Sequence, residues 1–414
     1  MTTTHSLGQA ARQILTQNDK GSYTIPTKGL YPYQWNWDSA IAALGFAEFD
    51  INRAWVELET LFSGQWADGM VPHILFHQPD SGYFPGPDVW GCGGPIPSSG
   101  IIQPPIAASM ARRIWEKDTV AGASRMVVLY PKMLAWHRWI MQWRLDRGAV
   151  CTTHPWETGR DNAPDWDNTM ARMNASDVGE YTRRDTAHVN SDDRPTKFDY
   201  DRYIKLVQLG RKLNWDQAAL REQSPFRVAD PTMTFTTLGA ARDLLAMGTE
   251  LGFDTIGLAE DIQTLEAGAA TLWNTDLGAF DSRDVLSGEW AECLSNASYL
   301  CWLGGIESDQ MMDRLRNTLE TVPYPVPSND PDSDTFDARR YWRGPTWAVV
   351  NMLIGLGLEQ QGHHAEAAEL ARKTGALISE HGFAEYFDPL SGSPAGGKSF
   401  TWTAAVWLAW VGGE

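Results

Sequence analysis

Apolar positions recur along this chain with a period near 3.6, and strict apolar/polar alternation is scarce, so the pattern predicts helices with few strands between them. Helices are expected near residues 6–18, 37–48, 50–63, 104–117, 122–145, 197–216, 234–251, 255–273, 289–302, 308–320, 345–361, 363–380 and 400–411. Trp136, Trp139 and Trp143 fall on one such helical face, as core aromatics do. Asn18-Asp19, Gly252 and Gly362 carry boundary signals. Helices following one another through short turns suggest antiparallel αα-hairpins, and hence an all-α class. Six such hairpins closed in a ring would form an (α/α)6 barrel. An open helical solenoid gives the same local pattern, although no repeat of 30–50 residues is visible. No low-complexity tract or Pro/Gly/Ser linker divides residues 1–414, which read as one domain.

The periodicity breaks in long, chemically distinctive stretches. Residues 64–103 are rich in Gly, Pro and aromatics, 146–196 are strongly polar, and 321–344 run through Asn329-Asp-Pro-Asp-Ser-Asp334. Residues 381–399 form a fourth break. Loops this long in a compact domain are usually functional or disordered, and these hold too many aromatics for disorder. They are expected to cap one end of the helical scaffold, the first three as lids over an enclosed small-molecule site.

Composition narrows the partners. A net charge of −18 opposes binding to nucleic acid and gives no help at an anionic membrane. No window has the apolar length of a transmembrane helix, and the start Met1-Thr-Thr-Thr-His-Ser-Leu7 has no secretory pattern, so a cytoplasmic location is expected. Cys92, Cys151, Cys293 and Cys301 show neither metal-ligand nor disulfide spacing. The sequence leaves a homo-oligomer open.

Candidate chemistry sits in two segments. Trp156-Glu-Thr-Gly-Arg-Asp161-Asn-Ala-Pro-Asp-Trp-Asp167 and Phe383-Ala-Glu385-Tyr-Phe-Asp388 place acids among Gly, Pro and aromatics, outside any good helical period. Two carboxyl groups delivered from separate loops into an aromatic cleft suit glycoside hydrolysis, in which one protonates the leaving oxygen and the other attacks or activates water. Asp165 and Asp167 also suit N-caps of a short helix, and Asp388 is the alternative to Glu385. Trp-rich segments at helix edges, Tyr31-Pro-Tyr-Gln-Trp35-Asn-Trp37-Asp38 and Tyr341-Trp342-Arg343-Gly-Pro-Thr-Trp347, have the aromatic and polar interleaving of sugar-stacking surfaces.

Glu157-Thr-Gly-Arg-Asp161 with Pro164-Asp-Trp-Asp167 resembles the general-acid segment of (α/α)6-barrel α-glucosidases and trehalases, and Glu385-Tyr-Phe-Asp-Pro-Leu-Ser-Gly392 with Phe400-Thr-Trp402 resembles their general-base segment. With the two Trp-rich segments, Tyr83-Phe-Pro-Gly-Pro87, Gln103-Pro-Pro105 and Arg194-Pro-Thr-Lys-Phe-Asp-Tyr200, the chain is similar to glycoside hydrolase family 63, in particular its short bacterial glucosylglycerate and mannosylglycerate hydrolases. The likeness runs from about residue 20 to the C-terminus.

This resemblance implies an inverting α-glycosidase without cofactor or metal. Asp161 would be the general acid, with Asp167 next in line, and Glu385 the base that activates water. Glu157, Asp165 and Asp167 are candidates for the negative field that keeps Asp161 protonated. The sugar is expected between Trp35, Trp37 and Asp38 on one side and Trp342, Arg343 and Trp347 on the other. Asp38 suits two sugar hydroxyls or the N-cap of a helix starting at Ser39, and Arg343 suits substrate or a neighbouring carboxylate. Tyr31, Tyr83, Gln103, Arg194, Tyr200 and Tyr341 match the positions that contact glycerate in the family. A guanidinium fork fits a carboxylate; on Arg194 alone a surface ion pair with Asp192 or Asp193 is the plainer reading, and the surrounding match reverses this in favour of glycerate. The rivals are an α-glucosidase of a small neutral disaccharide, a sugar-binding protein that has lost its chemistry, and a barrel-type epimerase or unsaturated-uronyl hydrolase. Ser393-Pro-Ala-Gly-Gly-Lys398 replaces the glycine-rich stretch of trehalases and counts against trehalose.

Overall fold

The computed structural model describes residues 2–80, 82–183 and 190–412. Ser81 and residues 184–189, parts of two expected cap segments, lie outside the described residues. The longer helices are α1 (Thr2–Asn18), α2 (Asn36–Phe46), α3 (Ile51–Ser63), α4 (Ala107–Lys117), α5 (Thr119–Trp143), α6 (Lys197–Lys212), α7 (Pro231–Leu251), α8 (Leu258–Ala270), α9 (Asp309–Thr321), α10 (Ala348–Gln360), α11 (His364–His381) and α12 (Thr401–Val406). The last continues as a π-turn to Val411. The fold is mainly helical.

Side-chain patterning separates two kinds of helix. Every residue of α2 is buried, as is every residue of α10 up to Leu358, so both are enclosed by neighbours on all sides. The others turn one face inward: α3 buries Ala54, Trp55, Leu58, Leu61 and Phe62. Helix α2 packs on α3, α4 and α12; α4 packs on α7; α7 and α10 both touch the 3-10 turn Ser298–Trp302; and α10 packs on α12. Behind these, α1 leans on α12, α5 on α4 and α7, α8 on α7, and α11 on α10. A Cβ on Gly45 would lie 2.6 Å from that of Ala405, so this glycine is what lets α2 and α12 approach so closely.

Helix starts follow side-chain capping. Asp50 accepts from the N–H of Arg53 at α3, Asp230 from that of Met233 at α7, and Thr196 and Asp199 form a reciprocal capping box at α6. The helix expected over 289–302 is a correction: only Ser298–Trp302 turns, as a 3-10 segment. There the backbone is drawn into other bonds, Ser295 bridging to Asn329 and the N–H of Asn296 donating to the carbonyl of Ser328.

Short antiparallel pairings carry the site loops. Leu145–Asp146, Ala149–Thr152, Val228–Ala229 and Arg283–Asp284 form a sheet in that order, and its second strand leads into the first carboxylate segment. Tyr386–Phe387 pairs with Pro394–Ala395 directly after Glu385. Gln34–Trp35 pairs with Ile74–Leu75 at the entrance to α2. Among the described residues, no helix is long and apolar enough to cross a membrane.

Candidate active site

One cavity, about 890 Å³ including its mouth, opens where the loops before α2, α4, α6 and α12 meet. It is lined by Tyr31, Trp35, Trp37, Asp38, Tyr83, Gln103, Asp161, Arg194, Tyr200, Tyr341 and Glu385. Eleven of the fourteen positions singled out in the sequence therefore share one space, although they come from segments up to 354 residues apart.

Glu385 is fully buried, and its carboxylate is gripped from three sides. Its Oε1 accepts from the hydroxyls of Tyr31 and Tyr341, each at 3.0 Å, and its Oε2 accepts from the N–H of Gly397 at 2.7 Å. Burial pushes both phenols well above their ordinary range, so they stay neutral donors. The Gly-Gly pair after the hairpin is needed for this grip. Gly396 has φ +71°, and a Cβ there would fall 2.4 Å from Oε2. The indole of Trp402 donates to the Glu385 carbonyl at 3.0 Å.

Arg194 lies inside the pocket, only 5% exposed. Its Nη2 donates to the Tyr31 hydroxyl at 2.9 Å, its guanidinium carbon sits 3.9 Å from the centre of the Tyr341 ring, and its Nη1 is 3.8 Å from Glu385 Oε1. This burial excludes the surface placement that an exposed ion pair with Asp192 or Asp193 would need. Asp38, in the first turn of α2, is buried and pushed up to about 8, first by desolvation and then by the charge of Glu385. The N-cap position of α2 belongs to Trp35, so Asp38 is not the cap. Gln103 turns its Oε1 to the backbone N–H of Trp37 at 3.1 Å, which fixes the start of α2.

Asp161 stands at the cavity wall on a loop held by its own backbone. Its carbonyl accepts from the Tyr203 hydroxyl at 2.6 Å and from the Trp166 indole at 3.0 Å. The acids around it are engaged elsewhere. Glu157 is fully buried and bound by Arg144 at 3.0 Å and the N–H of Thr153 at 2.7 Å. Asp165 pairs with buried Arg160 at 2.9 Å, and Asp167 pairs with Arg343. Neither Asp165 nor Asp167 caps the short helix Asp167–Ala171, whose N-cap is Trp166, contrary to the capping expectation.

Trp342, Arg343 and Trp347 are the three expected sugar contacts that do not line the cavity. Trp342 and Trp347 are fully buried and stacked on each other at 3.7 Å with 3° between their planes. They back the wall from behind, Trp342 against Trp37 and Trp347 against Tyr341 and Tyr386. Arg343 serves the carboxylate of Asp167 and the carbonyl of Asn162. In their place the lining includes Trp156, Phe400 and Trp402, which lie within or beside the two carboxylate segments. Adjacency to the acids was the available signal. Trp156 is set by His154, whose Nδ1 accepts from the Trp156 N–H at 3.0 Å while Nε2 donates to the Tyr203 carbonyl; burial holds this imidazole neutral, at about 4.

The chain matches the family model described as the mannosylglycerate hydrolase MGH1-like glycoside hydrolase domain over residues 31–403. It is 44% identical to mannosylglycerate hydrolase MGH2 of Selaginella moellendorffii, covering 97% of this chain and 85% of that protein. It is 42% identical to the mannosylglycerate hydrolase of Thermus thermophilus (97% and 99% covered) and 33% identical to the glucosylglycerate hydrolase of Mycolicibacterium hassiacum (98% and 98%). A crystal structure of the family 63 mannosylglycerate hydrolase from Thermus thermophilus with Tris and D-glycerate superposes with a TM-score of 0.94 at 41% identity, over 98% of this chain and 99% of that one.

Proposed function

Because the chain belongs to the mannosylglycerate hydrolase MGH1-like glycoside hydrolases of family 63, we propose that it cleaves an α-linked hexosyl glycerate, mannosylglycerate or glucosylglycerate, to hexose and glycerate, with inversion. The observation that carries this reading is a buried arginine and a buried glutamate sharing two tyrosines in one pocket, with an aspartate at its wall. The order of helix contacts, running from α2 through α4, α7, the 298–302 turn, α10 and α12 back to α2, supports an (α/α)6 barrel formed by one domain, with the 64–103, 146–196 and 321–344 segments as its caps.

In the proposed reaction Asp161 protonates the glycosidic oxygen while Glu385 takes a proton from the water that attacks the anomeric carbon on the opposite face. A carboxylate offers roughly four acceptor positions. Two tyrosine hydroxyls and one backbone N–H use three of those on Glu385, and the remaining one is left for the water. Fixed donors make the base rigid at no reorganisation cost during the step. Asp38 receives sugar hydroxyls beside Trp35, Trp37 and Trp402. Arg194 receives the glycerate carboxylate, with Tyr83, Gln103 and Tyr200 around the glycerate group and Tyr31 and Tyr341, whose hydroxyl protons go to Glu385, at its side. A neutral disaccharide would bring no carboxylate to this guanidinium and so make no use of its fork, which disfavours the α-glucosidase alternative.

Released hexose and its first-formed anomer, followed by NMR with mannosylglycerate, glucosylglycerate, trehalose and maltose, test the reading. Initial β-anomer from a glycerate glycoside is expected. Asp161→Asn and Glu385→Gln are each expected to lower kcat by about 10²–10⁴-fold. Initial α-anomer would overturn inversion, and cleavage of the neutral disaccharides alone would overturn the anionic substrate class.

A further inference from the structure

The pentapeptide Arg339-Arg340-Tyr341-Trp342-Arg343 joins parts of the site that are far apart in sequence. Arg339 Nη2 reaches Asp193 Oδ2 at 3.2 Å, and Arg340 Nη2 reaches Asp199 Oδ2 at 3.3 Å. Each of these carboxylates stands immediately before a cavity-lining residue, Asp193 before Arg194 and Asp199 before Tyr200. The two arginines in turn immediately precede Tyr341, which donates to Glu385 and carries the Arg194 guanidinium on its ring. The Tyr341 N–H donates to the Asp193 carbonyl at 2.8 Å, which sets the register of the two strands of chain. Arg343 then fastens the far end of the pentapeptide to the first carboxylate segment through Asp167.

Ion pairs as exposed as these add little to stability: Arg339 is 46% exposed and Arg340 26%. Their placement points to a different use. Resting on the reading of an anionic aglycone, we propose that Arg339 and Arg340 are positioning residues that hold Arg194 and Tyr200 in register with Tyr341, and so set the enzyme's preference for a carboxylate-bearing aglycone. Neither arginine lines the cavity. Their effect reaches substrate through the two residues that follow their partners. A shift of the order of 1 Å in such a group is enough to change rates by up to about a hundredfold.

The test compares hexosyl glycerate with hexosyl glycerol, which replaces the carboxylate by a hydroxymethyl group of similar size. Steady-state constants for both are measured with the wild type, R339Q, R340Q and the double variant R339Q/R340Q. R316Q, which removes the Arg316–Glu366 pair, neither member of which lines the cavity, is the control. The expected result is a roughly tenfold loss of the glycerate preference in the double variant, expressed in KM, with kcat and the glycerol glycoside changed less than about twofold. Each single variant should lose part of it, R316Q none, and Tm should stay near the wild type. A double variant that keeps the preference, or that falls equally on both substrates, overturns the positioning role. A wild type without any preference overturns the anionic reading itself and the inference with it; a wild-type preference that the variants retain overturns the inference alone.

Discussion

At the scale of single residues, the site depends on positions where side-chain size or charge leaves no slack. Gly396→Ala would press a Cβ onto the Glu385 carboxylate from a left-handed backbone, so kcat should fall at least tenfold while stability falls by about 1–2 kcal/mol, as steady-state assay and urea titration would measure. Asp38 gives a pH signature. Its carboxyl is raised from the ordinary 3.8 to about 8, so the protonated form is favoured in the folded protein. Its contribution to stability is complete below pH 4 and is lost as pH rises through 8. Asp38→Asn does not titrate, so its Tm relative to the wild type should rise between pH 5 and pH 8.5; a constant difference would contradict the burial effect. If this carboxyl group holds two sugar hydroxyls, accepting from one and donating to the other, the same variant should lose roughly ten- to hundredfold in kcat/KM. Much of this layer was legible, since eleven expected residues meet in one cavity. What sequence did not separate was a ring touching the cavity from a ring one layer behind it. Trp342 takes a left-handed backbone, φ +59°, and is buried face to face on Trp347, a geometry no spacing rule announces.

At the scale of elements, the first carboxylate segment is anchored by a buried ionic knot rather than by helix capping. Arg160 meets Asp165 at 2.9 Å and Asp230 at 3.3 Å, donates to Thr232 and Ser295, and is 1% exposed. Asp230 also caps α7, so a single carboxylate ties the acid-bearing loop to one of the central helices. Asp230→Ala removes the cap and leaves the guanidinium with one carboxylate partner fewer. It should destabilise the protein by about 3 kcal/mol in urea or guanidinium unfolding, and a cost below 1 kcal/mol would show the knot to be dispensable. Helix positions were readable from period alone because burial repeats every turn. The same periodicity failed at 289–297, where Ser295 and Asn296 pair with Ser328 and Asn329 and their backbone does not close helical bonds. Apolar spacing records which face is buried and is silent on which carbonyl an N–H will find.

At the scale of the whole molecule, a net charge of −18 surrounds a pocket read as anion-binding, and the two facts act over different distances. The background field extends about a Debye length, roughly 30 Å at 0.01 M salt and 8 Å at 0.15 M. It therefore repels an anionic substrate during approach at low salt and much less at physiological salt. Arg194 acts at contact, from a buried position that mobile ions screen poorly. Long-range repulsion and short-range attraction should thus separate on an ionic-strength axis. Raising NaCl from 10 to 150 mM should increase kcat/KM for a glycerate glycoside by about twofold to fivefold and leave the glycerol analogue unchanged. A fall with salt would mean that the local cationic field extends beyond the pocket and governs capture. An identical response of the two substrates would mean that charge on the aglycone is not sensed at any distance, and the acidic surface would then need another explanation, such as solubility alone.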